Sequence, residues 1–139
     1  MKKHIQTLNV KDHGDASNCY QTTLACILNV EIWQVPNFAL FYDDPSWPTI
    51  INNWLSINHK VKEVQSSSLI LYHQGFMKKF PKEFKNIPYM VSDDSPRGPY
   101  RHVVIYKNGK MIHDSYPGGM GIILTKNVEC TYLKPNKKI

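Results

Sequence analysis

Asn108-Gly109 stands between His102-Val103-Val104-Ile105-Tyr106 and Lys110-Met111-Ile112-His113, and this dipeptide constrains the fold more than any other stretch of the chain. A two-residue type I′ turn needs positive φ at both central positions, which Asn and Gly tolerate, so the flanking runs are predicted to pair as an antiparallel hairpin. Counting outward from the turn, Lys107 opposes Lys110, Ile105 opposes Ile112 and Val103 opposes Asp114. His102 and Asp114 then lie on a diagonal. With neighbouring strands about 4.8 Å apart, an imidazole and a carboxylate can meet there, give or take one residue of register.

The rest of the chain divides around that hairpin. Val, Ile and Tyr enrichment predicts strands at residues 87–91 and 128–133, residues 61–65 and 69–72 read as short strands, and residues 4–10 alternate weakly as a first strand. The polar run 92–99 reads as a loop, and residues 74–86 stay unassigned because Phe76, Phe80 and Phe84 at four-residue spacing share the segment with Pro81. In the N-terminal half, Tyr20, Thr23, Leu24, Ile27 and Leu28 recur at helical intervals behind Ser17 or Asn18, either of which can cap a helix. A second helix is expected over 47–55, with Pro48 in its first turn and Ile50, Ile51, Trp54 and Leu55 on one side. Helices first and an antiparallel sheet second predict an α+β domain spanning residues 1–139.

Size and charge narrow the classes of function. A chain of 139 residues, 42% hydrophobic, buries about two-thirds of its unfolded surface and needs no second core. The basic start Met1-Lys2-Lys3 is not followed by an apolar segment of signal-peptide length, and no run approaches the roughly 18 residues of a membrane span. A cytoplasmic protein without membrane contact is expected. The net charge of +6 is spread over dispersed lysines, the 78–85 cluster and the tail, which suits solvated surface better than a nucleic-acid stripe. Cys19, Cys26 and Cys130 cannot all pair and lack CxxC spacing, so neither a disulfide framework nor a zinc site is indicated. No cofactor or metal is called for.

Cys19 opens the first predicted helix, where unpaired N–H groups and the positive end of the helix dipole favour an anionic nucleophile. A thiolate nucleophile needs a base, and the base needs a third group to hold its tautomer and stabilise its cation. His102 and Asp114 supply both on one hairpin, so Cys19, His102 and Asp114 form the candidate catalytic set. Cys26, on the same helix among Leu24, Ala25, Ile27 and Leu28, reads as inert core.

The helix start Asn18-Cys19-Tyr20-Gln21-Thr22-Thr23-Leu24-Ala25, the segment Ser95-Pro96-Arg97-Gly98 before His102-Val103-Val104, and the turn His113-Asp114-Ser115-Tyr116-Pro117-Gly118-Gly119 occur in that order. Together they resemble the papain-like cysteine peptidase superfamily, most nearly its bacteriocin-leader-peptidase branch and small uncharacterised bacterial and phage relatives. The resemblance implies a papain-like fold, with Cys19 as nucleophile, His102 as general base and Asp114 as the orienting acid. Such enzymes usually carry an oxyanion-hole glutamine just upstream of the cysteine. Gln6 is the candidate, thirteen residues before Cys19 with the loop 11–17 to absorb the excess, and Asn18 or His13 can substitute. Arg97 is the candidate substrate-binding residue, through an acidic group, although a plain turn explains Ser95-Pro96-Arg97-Gly98 equally well.

Blander readings stand beside each of these. A free cysteine is commonly inert core, Asp114 ahead of Ser115 suits an Asx turn, and His102 suits a surface strand position. His4, His13, His59 and His73 read as surface, and Trp33, Trp47 and Trp54 suit core packing or a cleft wall, core being the safer reading. The leading expectation is a cysteine hydrolase, peptidase or amidase, acting on a peptide, protein or small amide through a Cys19 thioester. The alternatives are a thiol-dependent acyltransferase of transglutaminase-like type and a papain-fold binding module without turnover, phage-encoded and acting on a host factor.

Overall fold

The computed structural model describes residues 1–7, 18–41 and 44–136. Among the described residues, three α-helices, α1 (Cys19–Leu28), α2 (Trp47–His59) and α3 (Ser67–His73), accompany five strands, β1 (Val61–Gln65), β2 (Tyr89–Asp94), β3 (Arg101–Lys107), β4 (Lys110–His113) and β5 (Glu129–Pro135). Short 3-10 turns lie at Ile32–Gln34, Phe38–Phe41 and Lys82–Phe84. The strands form one antiparallel sheet in the order β1-β5-β2-β3-β4. The class is α+β, as expected.

Alternation along the central strands feeds two apolar layers. Met90 and Val103 join Leu24, Ala25, Val35, Phe38, Ile51 and Leu55 beneath α1 and α2. Val91 and Val104 turn to the opposite cluster with Leu69, Phe84, Tyr89, Val128 and Cys130. Both faces of β2 and β3 are therefore covered, which explains why Val103-Val104-Ile105 reads as an unbroken apolar run. Near the end of the sheet, Asn108 (φ 53°) and Gly109 (φ 83°) make the predicted left-handed turn, and Asn108 exchanges two hydrogen bonds with Asn86, 2.7 and 2.9 Å. A Cβ on Gly109 would come within 2.9 Å of the Tyr72 hydroxyl, so the turn is held by close approach as well as by φ.

Several expectations give way to tertiary context. Residues 69–72 are helical, because Ser66 caps α3 by accepting from the Leu69 N–H at 3.2 Å. β2 runs on through Ser92-Asp93-Asp94, placing part of the expected loop inside the sheet, and α2 continues to His59. Residues 4–7 form no strand; residues 8–10, the loop 11–17 with Ser17, and His13 lie outside the described residues. Trp33 is 80% exposed rather than core, while Trp54 packs edge-on to Phe38 at 5.7 Å. His4, His59 and His73 are half-buried rather than surface residues: His4 Nε2 donates to the Val30 carbonyl at 2.7 Å, His59 packs against the Trp54 ring at 5.1 Å, and His73 Nε2 meets the Tyr89 hydroxyl at 2.8 Å. Among the described residues, no helix is long and apolar enough to cross a membrane.

Glu63 on β1 accepts a hydrogen bond from the Tyr20 hydroxyl of α1. Burial, reinforced by the negative charge of Glu129, pushes its carboxyl up to about 7. The folded chain then holds a proton that the unfolded chain releases near the ordinary carboxylate value, so stability falls as pH rises between about 4.5 and 7. Glu63→Gln keeps an acceptor for Tyr20 and removes the titration. Thermal melts should show the variant on the order of 10 °C more stable than the parent at pH 8 and indistinguishable from it at pH 4; equal melts at both pH values would contradict this account.

Candidate active site

Cys19 is the first residue of α1, and Asn18 stands at the N-cap with φ −117° and ψ 31°. Asn18 does not cap the helix with its side chain, contrary to one reading of the sequence. Its Oδ1 accepts from the Thr7 N–H at 3.1 Å and its Nδ2 donates to Thr7 Oγ1, also at 3.1 Å. The expected cap residue is thus spent on tethering the N-terminal segment. The positive end of the helix is left facing the thiol without a side-chain oxygen from Asn18 to neutralise it. Cys19 is half-buried, whereas Cys26 and Cys130 are fully buried, and all three are free thiols. Cys26 Sγ accepts from the His4 N–H at 3.2 Å, and burial raises its thiol. Cys130 is pushed up to about 12 by burial and by the nearby charges of Asp93 and Glu129. Both behave as core, as expected for Cys26.

His102 lies one residue inside β3 and is only 3% exposed. Its Nε2 donates to Asp114 Oδ1 at 2.6 Å, which leaves Nδ1 as the nitrogen not bonded to Asp114, and the Cys19 thiol lies near enough to bias the charge of the ring. Burial disfavours the imidazolium, but the hydrogen bonds to Asp114 and Cys19 outweigh it and raise the His102 value. Burial also works against the Asp114 carboxylate, and the bond to His102 together with backbone N–H donors reverses that, holding it below its ordinary value. The two shifts share one cause, since each partner stabilises the charged form of the other.

The hairpin reaches this geometry by a route the residue count misses. Lys107 pairs with Lys110 as expected, but a bulge between Ile105 and Tyr106 sets Ile105 opposite His113 rather than Ile112. β4 ends at His113, so Asp114 lies past the strand instead of opposite Val103. It reaches His102 from a loop that it organises itself: Oδ1 also accepts from the Tyr116 N–H at 2.9 Å and Oδ2 from the Gly121 N–H at 2.8 Å. Gly121 adopts φ 71°, a conformation that glycine permits and most residues resist. Asp114 is therefore a turn-forming aspartate and the partner of His102 at once.

Gln6 closes the arrangement. Its N–H donates to the Ser115 carbonyl at 2.8 Å, and its Oε1 accepts from Ser115 Oγ at 3.1 Å. The adjoining Thr7 is tied to Asn18, so Gln6 is held between the residue after Asp114 and the residue before Cys19. The Ser115 hydroxyl holds one end of the Gln6 amide in place. The thirteen-residue separation in sequence is therefore no obstacle to proximity. Asn18, the rival donor, has its amide engaged with Thr7.

Two further residues border the site. Arg97 stacks on Tyr116, its guanidinium carbon 3.5 Å from the ring centroid, and Tyr116 meets the His102 ring edge-on at 6.4 Å. Asp93, expected in a loop, lies in β2 directly opposite His102, yet its carboxylate turns to Thr125, accepting from its N–H at 2.6 Å and its hydroxyl at 2.8 Å. Asp93 is a buried structural carboxylate that the sequence reading missed, because its partner lies 32 residues downstream. Among the described residues, no group of three or more His, Cys, Asp or Glu side chains is placed to hold a metal ion.

Comparison of the chain with models of protein families, with curated proteins and with solved structures finds no match. The arrangement therefore rests on its own geometry: a half-buried thiol at a helix start, an imidazole bonded to a carboxylate, and a tethered glutamine amide.

Asp114→Asn keeps one of the two oxygens that order the loop, loses an acceptor for Gly121 or for Tyr116 and His102, and cannot compensate an imidazolium, so a thermal melt should first show that the variant is folded. The His102 ring should titrate lower by NMR in the variant, and alkylation of Cys19 by iodoacetamide at neutral pH should slow by roughly 10²–10⁴-fold. Peptide mapping of the native parent should find label on Cys19 and none on Cys26 or Cys130, and modification of all three at similar rates would contradict the assignment.

Proposed function

We propose that the chain is a cysteine hydrolase, a peptidase or amidase with a papain-like fold, in which Cys19, His102 and Asp114 form the catalytic triad and Gln6 supplies an oxyanion-hole donor. The observation that carries this reading is His102, buried and bonded to the Asp114 carboxylate at 2.6 Å, with the Cys19 thiol near enough to raise its basicity. A structural histidine does not require a free, half-buried thiol nearby.

In the proposed reaction His102 Nδ1 takes the Cys19 proton and the sulfur attacks the carbonyl carbon of the amide. The resulting oxyanion is met by the Gln6 NH2 and the Cys19 backbone N–H. On collapse the carbon–nitrogen bond breaks, His102 protonates the departing amine, and the acyl group stays on Cys19 as a thioester. Water then enters, gives its proton to His102, and attacks the thioester; the acid leaves and the thiol is restored. Asp114 stabilises the imidazolium in both halves and does not itself need to take the proton.

The test is a survey of peptide and amide substrates with the parent, Cys19→Ala and Gln6→Ala. Cys19→Ala should abolish turnover and trapping of an acyl-enzyme. Gln6→Ala should lower kcat by roughly 10²–10³-fold with a smaller change in KM, because an oxyanion donor acts mainly in the transition state. A product that changes when an amine is added would redirect the proposal to acyl transfer. A cellular effect that survives Cys19→Ala would point to a binding module.

A further inference from the structure

Arg97 carries an unanswered positive charge beside this site. Its Nε and Nη1 are buried and have no hydrogen-bond partner among the described residues. Buried donors on a cation are costly to leave unmade, and most such groups in folded proteins are satisfied. Other contacts of Arg97 position the residue without supplying a counter-charge. Its backbone N–H donates to Ser95 Oγ at 3.1 Å, and its guanidinium lies over the Tyr116 ring. Its loop is closed by the Ser95 N–H on the Tyr100 carbonyl at 2.9 Å, and a Cβ at Gly98 would approach the Tyr100 ring to 2.6 Å.

The same tyrosine that carries Arg97 touches His102. The guanidinium carbon is 3.5 Å from the Tyr116 centroid and that centroid is 6.4 Å from the imidazole centre, so the two are separated by at most their sum, 9.9 Å. That upper bound is about one screening length at 0.1 M salt, and the charges are screened less where water is excluded. A planar guanidinium with unsatisfied donors suits a carboxylate, which it can grip with two parallel hydrogen bonds. We infer that Arg97 is a specificity-determining residue that receives a carboxylate of the substrate beside the scissile bond. This rests on Cys19 being the nucleophile, and it narrows the substrate class to anionic peptides or amides, the carboxylate being either a chain terminus or an acidic side chain.

Three alkylating probes with one iodoacetyl warhead separate these cases: iodoacetyl-glycine amide, which is neutral; iodoacetyl-glycine, with a terminal carboxylate; and iodoacetyl-aspartic acid α-amide, with a side-chain carboxylate. Rates of Cys19 alkylation are measured in the full chain for the parent, Arg97→Gln and Arg97→Lys, with thermal melts confirming that each variant is folded. At least one anionic probe should react about tenfold faster than the neutral probe in the parent, as a charge pair at this range allows. The faster of the two identifies the source of the carboxylate. Arg97→Gln should abolish the advantage and Arg97→Lys should keep part of it. The advantage should also persist above the pH at which His102 loses its charge, since a guanidinium does not titrate there. Equal rates for neutral and anionic probes, or an advantage that survives Arg97→Gln, would overturn the inference while leaving Cys19 as the nucleophile. A Cys19 that reacts with none of the probes would overturn the nucleophile assignment and this inference with it.

Discussion

An imidazole and a carboxylate buried side by side cost more than either would in water unless each satisfies the other, and the site is organised around that condition. His102 Nε2 and Asp114 Oδ1 meet at 2.6 Å, and the remaining capacity of the carboxylate is taken by the Tyr116 and Gly121 N–H groups. The carboxylate is thus charged, oriented and unable to swing away. The ring can present only Nδ1 to Cys19, and the loop 115–121 is wound to deliver its N–H groups to Asp114. Losing the carboxylate would disturb the hairpin end as well as the acid–base chemistry.

A second constraint links the ends of the chain. Residues 4–7 run between α1 and the end of β4, and their hydrogen bonds go to both sides. His4 gives its N–H to Cys26 and its ring to Val30, while its carbonyl accepts from His113 Nε2 at 2.7 Å. Gln6 bonds Ser115 and Thr7 bonds Asn18. This segment has no partner strand, so the sheet cannot position it. It is held by side-chain and backbone bonds to elements roughly a hundred residues apart in sequence, such as the 109 residues between Gln6 and Ser115. The geometry of thiol, imidazole and glutamine amide depends on that stitching, as well as on the helix and the hairpin.

Some of this was legible from residues alone because it is local. The Asn108-Gly109 turn, the apolar stripe of α1, Pro48 at the head of α2 and the bounds of β1 follow from backbone preferences and short-range periodicity. Other features were not. The Ser66-Ser67-Ser68 cap turned a β-like apolar run into α3, since a capping hydroxyl decides a short segment whose pattern is ambiguous. The bulge at Ile105 and Tyr106 shifted the ladder by one residue, and no residue type there announces it. Trp33 is exposed although its composition suggests core, because burial of an aromatic depends on what packs against it.

The sequence by itself determined which groups are available and in what order: a cysteine at a helix start, a histidine opening a strand, an aspartate after a tight hairpin, and an arginine in a loop before that strand. It also determined the α+β class, because the helical and alternating periods occupy different parts of the chain. Only the tertiary structure decided that Asp114 reaches His102 from beyond its strand, that Asn18 tethers Thr7 instead of capping its helix, that Gln6 is drawn in beside the site, and that two donors of Arg97 are buried without an acceptor among the described residues. Each of those depends on atoms brought together from segments far apart in the chain. Their energies come from burial and exclusion of water, which local sequence does not encode.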